Sequence, residues 1–229
     1  MLRTSILRRG ITAVCLSVIL AFPPVALAEP SATPEAIPAS LQMPGNFVRK
    51  RNAVSVAAIK ALGIITRTEN IEDPVYRAAR RVVSDKLARR MKLDATALDK
   101  AWSRAPRDHQ IAVLAALTQL GVRYIEGEES PYRAMDCSGL LWFAWRTAGV
   151  DMPRQAVSQL DPLMRIEQKD AVAGDIVGEG THVHIYLGVD RVMVHAPFTR
   201  KSVRIKNMSE EQWKRVVWTN PSNIATYRL

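Results

Sequence analysis

The sequence predicts an α+β fold in which helices pack on an antiparallel sheet, preceded by a small helical region. Three observations carry that prediction. Apolar residues recur at helical spacing in successive segments between Asn46 and Gly149. Short β-like segments, punctuated by glycine turns, run from Asp175 to Ile205. A lone cysteine, Cys137, opens the last long helix before that sheet. Helices followed by a run of antiparallel strands define the α+β class. The 229 residues, 48% hydrophobic with 11 glycines, suit one ordinary globular domain plus an extension.

The chain begins with a segment that does not belong to that core. Arg3, Arg8 and Arg9 form a charged start, Ile11 to Leu20 an apolar run, and Ala26-Leu27-Ala28 an A-x-A cleavage site. This is the pattern of a secretory signal over residues 1–28. Pro23, Pro24 and the shortness of the run argue against a membrane anchor, so no stable span is expected after cleavage. The Arg8-Arg9 pair leaves general and twin-arginine export both open. Export places the protein in the periplasm, outside the cell or in the cell wall. Of two cysteines in the sequence, Cys15 leaves with the signal, and an unpaired thiol remains at Cys137. A single thiol in an exported chain cannot form an internal disulfide and points to chemistry.

Charge constrains the partners. The chain has 32 Lys+Arg against 22 Asp+Glu, and the signal removes three arginines, which leaves 29 − 22 = +7. A basic exported protein suits anionic cell-wall polymers or lipid headgroups, and export removes nucleic acid as a partner. Ordinary solubilising charge is the alternative.

Residues 29–45, with Pro30, Pro34, Pro38 and Pro44, read as an extended linker, and residues 46–105 as the helical region. There Val54, Ala57, Ala58 and Ala61 make one stripe, closed by Gly63. Asp73-Pro74 opens a second helix with Val75, Ala78, Ala79 and Val82 at helical spacing. Its other positions hold Arg77, Arg80, Arg81, Lys86, Arg89, Arg90 and Lys92, a solvated face or a docking surface for anionic polymer. Asp94 to Trp102 is a further short helix.

Residues 106–229 form the second part. Ile111 to Leu120 is an apolar helix ending at Gly121, and a loop from Gly127 to Pro131 leads to Asp136-Cys137-Ser138-Gly139-Leu140. Leu141, Ala144, Trp145 and Ala148 share one face of the helix that follows, which stops at Gly149. Cys137 lies at its N-terminus, where the helix dipole and unpaired N–H groups favour a thiolate. The strands read as Asp175 to Val177, Val183 to Val189, Arg191 to His195 and Ser202 to Ile205. Three of four histidines, His182, His184 and His195, fall within this sheet. Two strands joined by a tight turn bring His182 beside His195. A helix-terminal thiol facing a sheet histidine is the arrangement of a papain-like nucleophile, with a third group orienting the base. A zinc site built from these histidines and the cysteine is the lesser alternative, because nothing nearby completes the ligand set.

Gly121-Val122-Arg123-Tyr124, Ser130-Pro131, Asp136 to Leu140, Pro153-Arg154-Gln155 with Gln159, Gly174 to Val177, His182 to Gly188 and His195-Ala196-Pro197 follow one another in order. Together they resemble the NlpC family of bacterial cell-wall peptidases, over roughly residues 106–229. The resemblance implies a papain-like core and hydrolysis of peptidoglycan stem peptides, typically between D-γ-glutamyl and a diamino acid, without cofactor or metal. It implies Cys137 as nucleophile, His182 as general base and His195 as the orienting residue. Tyr124, Asp136, Ser138, Arg154 and Gln155 then line the substrate cleft. Three departures stand out. Ile125 to Glu129 replaces the family's Trp-Gly-Gly-like run, the segment before His182 is short, and His184 stands where the family commonly has glycine. A papain-like amidase or acyltransferase on another amide or lipid, and an inactive wall-binding module, are the competing readings.

Overall fold

A computed structural model describes residues 52–198 and 201–224. The signal segment with Cys15 and the proline-rich linker lie outside the described residues. Three helices come first. Helix α1 (Ala53–Ile65) starts at Asn52, whose side chain accepts from the N–H groups of Val54 and Ser55 at 3.0 Å. It continues two residues beyond the stop expected at Gly63, until the Thr66 hydroxyl donates back to Leu62 O at 2.9 Å. Helix α2 (Pro74–Met91) is capped by Asp73 with proline at its first turn, and ends at Lys92 in the left-handed region. Helix α3 (Ala95–Arg104) is capped by Asp94, which accepts from Thr96 N at 2.7 Å.

The buried face of α2 differs from the predicted stripe. Tyr76, Ala79, Val83 and Leu87 face the core, while Val75 and Val82 are 63% and 47% exposed. Both rows fit a 3.6-residue period; the larger apolar bodies of Tyr76 and Leu87 decide which one is buried. The rotation also takes Arg80 off the solvated face. Its guanidinium is buried and its Nε donates to Asp99 at 3.0 Å.

Helix α4 (Arg107–Thr118) is the centre of the fold, and every residue from His109 to Thr118 is buried. Helix α1 packs on one side of it, and α5 (Cys137–Thr147) on another. A hairpin, β1 (Glu129–Ser130) with β2 (Ala134–Met135), delivers the chain to α5. That helix ends where expected, with Gly149 at φ +85°. After the single turn α6 (Ala156–Gln159), the sheet is built from β3 (Ile176–Glu179), β4 (His182–Tyr186), β5 (Val192–His195), β6 (Arg204–Asn207) and β7 (Val217–Thr219), with a short helix α7 (Glu210–Trp213) before the last strand. Its order is β6-β5-β4-β3-β7, all pairs antiparallel.

Alternation along the strands sorts the sheet's two faces. Val183, Ile185 and Val194 join the helices in the main core. On the other face Tyr186, Trp213 and Trp218 cluster around Met193 and Val177. The main core is continuous from Val54 on α1 to Ile205 on β6, so the change in sequence character near Pro106 marks no break in packing. Trp102 of α3 seals that join by donating its indole N–H to Leu187 O at 2.8 Å.

The fourth histidine fastens α4 to the sheet. His109 lies between two carboxylates, Nδ1 at 2.7 Å from Asp108 and Nε2 at 3.1 Å from Asp175, with its edge on Trp145. Gly174 is required here. It sits at φ +104°, and a side chain would meet His109 Cβ at 2.7 Å. Among the described residues no helix is long and apolar enough to cross a membrane.

Candidate active site

Asp136 builds the start of α5. Its Oδ1 accepts from Gly139 N at 2.6 Å and from the Ser138 hydroxyl at 3.3 Å. Its Oδ2 accepts from Gly127 N at 2.8 Å and from Arg154 Nη2 at 2.9 Å. The carboxylate thereby caps the helix and anchors the loop ahead of the hairpin. Gly139 lets that loop lie close, since a Cβ there would fall 2.3 Å from Glu128 O. Arg154 clamps the same corner, donating to Ser138 Oγ and Glu129 Oε2 at 2.8 Å each. Three residues predicted to line the cleft, Asp136, Ser138 and Arg154, thus form one bonded cluster. Tyr124 stands close enough for the Cys137 sulfur to influence its hydroxyl, whose pKa is raised first by burial and then by that neighbour. Gln155 is exposed at the start of α6 and is not part of the cluster.

Cys137 sits on the buried face of α5, 8% exposed. Its thiol lies 3.6 Å from Thr181 O, and the backbone N–H groups of Val183 and Ser138 point at the sulfur. The residue between Thr181 and Val183 is His182, so the strand carrying the predicted base is docked directly on the thiol. His182 Nε2 lies 3.0 Å from His195 Nδ1. The pairing of β4 with β5 sets Ile185 against Val194 and, one step further, His184 opposite His195. His182 therefore reaches His195 across the diagonal. The rings of His182 and His184 are 4.6 Å apart by centroid, nearer than the roughly 7 Å spacing of alternate residues along a strand suggests, because the two rings lean together.

The electrostatics differ from the expected thiolate. Burial raises the Cys137 pKa, and the Asp136 carboxylate adds to it; the N–H groups of Val183 and Ser138 pull the other way without overcoming them. The free site holds a thiol. The histidines shift downward. Burial, then Lys206, lowers His182. Burial takes His184 well below its ordinary value, with His182, His195 and Lys206 adding to it. Burial, His182, Lys206 and Arg204 bring His195 to about 3. All three are neutral imidazoles near pH 7.

Arg204 and Lys206 were not singled out in the sequence. Arg204 pairs with His195 across β5 and β6, and its Nε donates to His195 Nε2 at 3.4 Å. The available signal was the alternation Arg204-x-Lys206 in the strand following His195. Gln159, noted only as part of a motif, is a buried brace: its side-chain amide donates to Ser138 O at 3.0 Å and Pro153 O at 2.8 Å, while the Thr219 hydroxyl donates to its backbone carbonyl.

The site thus sets a buried thiol at a helix N-terminus against the strand that carries His182, which is bonded to a second histidine, on an α+β fold. Residues 121–221 match the NlpC/P60 family model. Murein DD-endopeptidase MepH of Escherichia coli is 29% identical over 130 residues, covering 52% of this chain and 48% of that protein. The bifunctional muramidase/DL-endopeptidase CwlT of Bacillus subtilis is 35% identical over 92 residues, 37% of this chain and 28% of that one. The gamma-D-glutamyl-L-lysine dipeptidyl-peptidase of the same organism is 32% identical over 99 residues, 40% and 33% of the respective chains. The chain spans about half the length of the first of these relatives and less of the others. Among solved structures, NlpC1 from Trichomonas vaginalis aligns at 26% identity and a TM-score of 0.40, over 49% of this chain and 45% of that one.

Proposed function

We propose that the chain is an exported cysteine peptidase that hydrolyses peptidoglycan stem peptides, with Cys137 as nucleophile, His182 as general base and His195 holding the base. Residues 1–28 serve as its signal, 29–45 as a linker, and it acts in the periplasm or cell wall. The observation that carries the reading is the docking of the Cys137 thiol between Thr181 O and Val183 N–H, with His182 between them and bonded to His195 at 3.0 Å.

The neutral pair sets the order of events. With a thiol and an unprotonated imidazole in the free site, the proton leaves sulfur as the sulfur attacks the carbonyl carbon, and His182 takes it. Its Nε2 is engaged by His195, so Nδ1 is the atom that accepts. For that, His182 carries its own proton on Nε2 and donates it to His195 Nδ1, with the His195 proton on Nε2; in this pair of tautomers His195 Nε2 is a donor, and the 3.4 Å approach of Arg204 is not a hydrogen bond. The Gly139 N–H is held by Asp136, which leaves the N–H groups of Cys137 and Ser138 to meet the oxyanion at the helix start. His182 then protonates the leaving amine, and water hydrolyses the thioester.

The bond cut is the D-γ-glutamyl–diamino acid bond. The names of the relatives favour a second candidate as well, the D,D-crosslink, since one is a DD-endopeptidase and another a DL-endopeptidase. Digestion of purified peptidoglycan with mass spectrometry of the released muropeptides decides. Shortened stems cut after D-glutamate support the first bond, and loss of crosslinked dimers alone supports the second. Unchanged muropeptides from an active-site-intact protein overturn the peptidase reading. The exposed basic residues of α2 are proposed to hold anionic wall polymer near this site.

A further inference from the structure

We propose that His182, His184 and His195 form a reversible binding site for a divalent transition metal, zinc(II) fitting best, and that the bound metal blocks the site. His184 is the residue that makes this possible. It is 4% exposed, and its Nδ1 is buried with no hydrogen-bond partner among the described residues. Burying an imidazole and leaving a nitrogen unsatisfied carries a desolvation cost that an apolar residue of the same size would avoid. A metal at this position supplies the missing partner. The His184 ring stands 4.6 Å from that of His182 and 4.9 Å from that of His195, and those two are 5.3 Å apart.

One ligand nitrogen from each histidine lies within 4.8 Å of the other two. Zinc–nitrogen bonds of about 2.0–2.1 Å in a tetrahedron set nitrogens roughly 3.3 Å apart. The His182–His195 pair, at 3.0 Å, is already near that edge length. The widest separation has to close by roughly 1.5 Å, within reach of ring rotation about the soft χ2 torsions. Three imidazoles with no carboxylate select zinc, copper or nickel over magnesium and calcium. Arg204 and Lys206 on β6 repel a dication, so the site takes metal reversibly and does not hold it as a permanent component. Cys137 is not needed as a ligand, since its sulfur is occupied by Thr181 O and the Val183 N–H.

Metal on His182 Nε2 takes that nitrogen's lone pair, so the neutral ring holds its proton on Nδ1, which then cannot accept the thiol proton. The binding half of the proposal stands on the three histidines alone, and the inhibition half rests on the peptidase reading. Equilibrium dialysis of the full chain against zinc(II), with circular dichroism as a check on folding, tests the first. One zinc per chain is expected for the wild type and for Cys137→Ala, with at least tenfold weaker binding in His184→Gly and in His184→Gln, which keeps the volume but lacks the imidazole. Wild-type affinity in both His184 variants overturns the proposal, and so does absence of stoichiometric zinc in the wild type. Loss of zinc in Cys137→Ala places the metal on the thiol and overturns it equally. Turnover tests the second half: zinc should inhibit the wild type at least tenfold more strongly than His184→Gly, and equal inhibition overturns it. If even the zinc-free wild type hydrolyses nothing, the peptidase reading fails while dialysis still decides the site.

Discussion

Replacing His109 by glutamine should produce a stability loss that exists at neutral pH and vanishes in alkali. Burial alone would push this imidazole down, but its hydrogen bonds to Asp108 and Asp175, and their charges, outweigh burial and raise its pKa from 6.5 to about 9. Asp108 moves the other way, below the usual carboxylate range: burial opposes ionisation, and the bonds from His109 and Ser222 overcome it. A group with a raised folded pKa stabilises fully below its unfolded value, here 6.5, and that contribution disappears as pH climbs through about 9. At ~1.4 kcal/mol per pH unit, the rise amounts to about 3 kcal/mol, counted once for the whole carboxylate–imidazolium–carboxylate group. Glutamine can occupy the gap but cannot carry the charge. Urea unfolding of wild type and variant at half-unit intervals from pH 6 to pH 10 measures the gap. It should be about 3 kcal/mol at pH 6, shrink from pH 7 upward, and approach zero by pH 10. A gap that stays constant across this range would mean that His109 acts by shape alone, and the charge argument would be refuted.

Three other outcomes follow from the site and from α2. Cys137→Ala should abolish hydrolysis and leave the unfolding midpoint within about 1 kcal/mol of wild type, because only one small group is lost; alkylation of the wild-type thiol should still be accelerating at pH 9, as expected for a pKa raised by burial. His182→Ala should lower turnover by roughly 10²-fold or more, whereas His184→Gly keeps most of it; the opposite ranking in a steady-state assay would make His184 the base. On α2, Arg80→Ala should destabilise by roughly 2–3 kcal/mol, because Asp99 keeps only the longer 3.9 Å contact to Arg81, while charge reversal at the exposed Arg89 and Arg90 leaves stability nearly unchanged and weakens wall sedimentation in a salt-dependent way. Salt-insensitive, unchanged sedimentation of the double variant would mark that face as solubilising only.

The elements near Cys137 were legible because several local signals agreed there. Asp136 as cap, the Leu141/Ala144/Trp145 face and the Gly149 stop all specify one helix, and the structure forms it. The sheet was legible through its β-branched runs and glycine turns, except β7. Val217-Trp218-Thr219 is too short to show a period, and it is fixed by pairing with β3, a contact distant in sequence. The face of α2 was misread for a related reason: two rows of residues satisfied the same period, and only tertiary packing of Tyr76 and Leu87 separates them. The state of the thiol was misread because the helix dipole is visible in sequence, whereas burial and the position of the Asp136 carboxylate are not. The three histidines could be grouped from strand order, but the diagonal bond from His182 to His195 depends on a register that sequence spacing leaves open.

The bond from Trp102 to Leu187, together with the unbroken core around α4, bears on how this protein can be cut, expressed and engineered. A clone beginning near residue 106 would strip α1, α2 and α3 from α4. Ala112, Ala115 and Ala116, small residues buried without exception, would lose neighbours that no solvent-adapted side chain is ready to replace. The three leading helices wall the same core as α4 and the sheet, so they are expected to unfold with it in one calorimetric transition. Swapping them for another binding module would require redesign of α4 first.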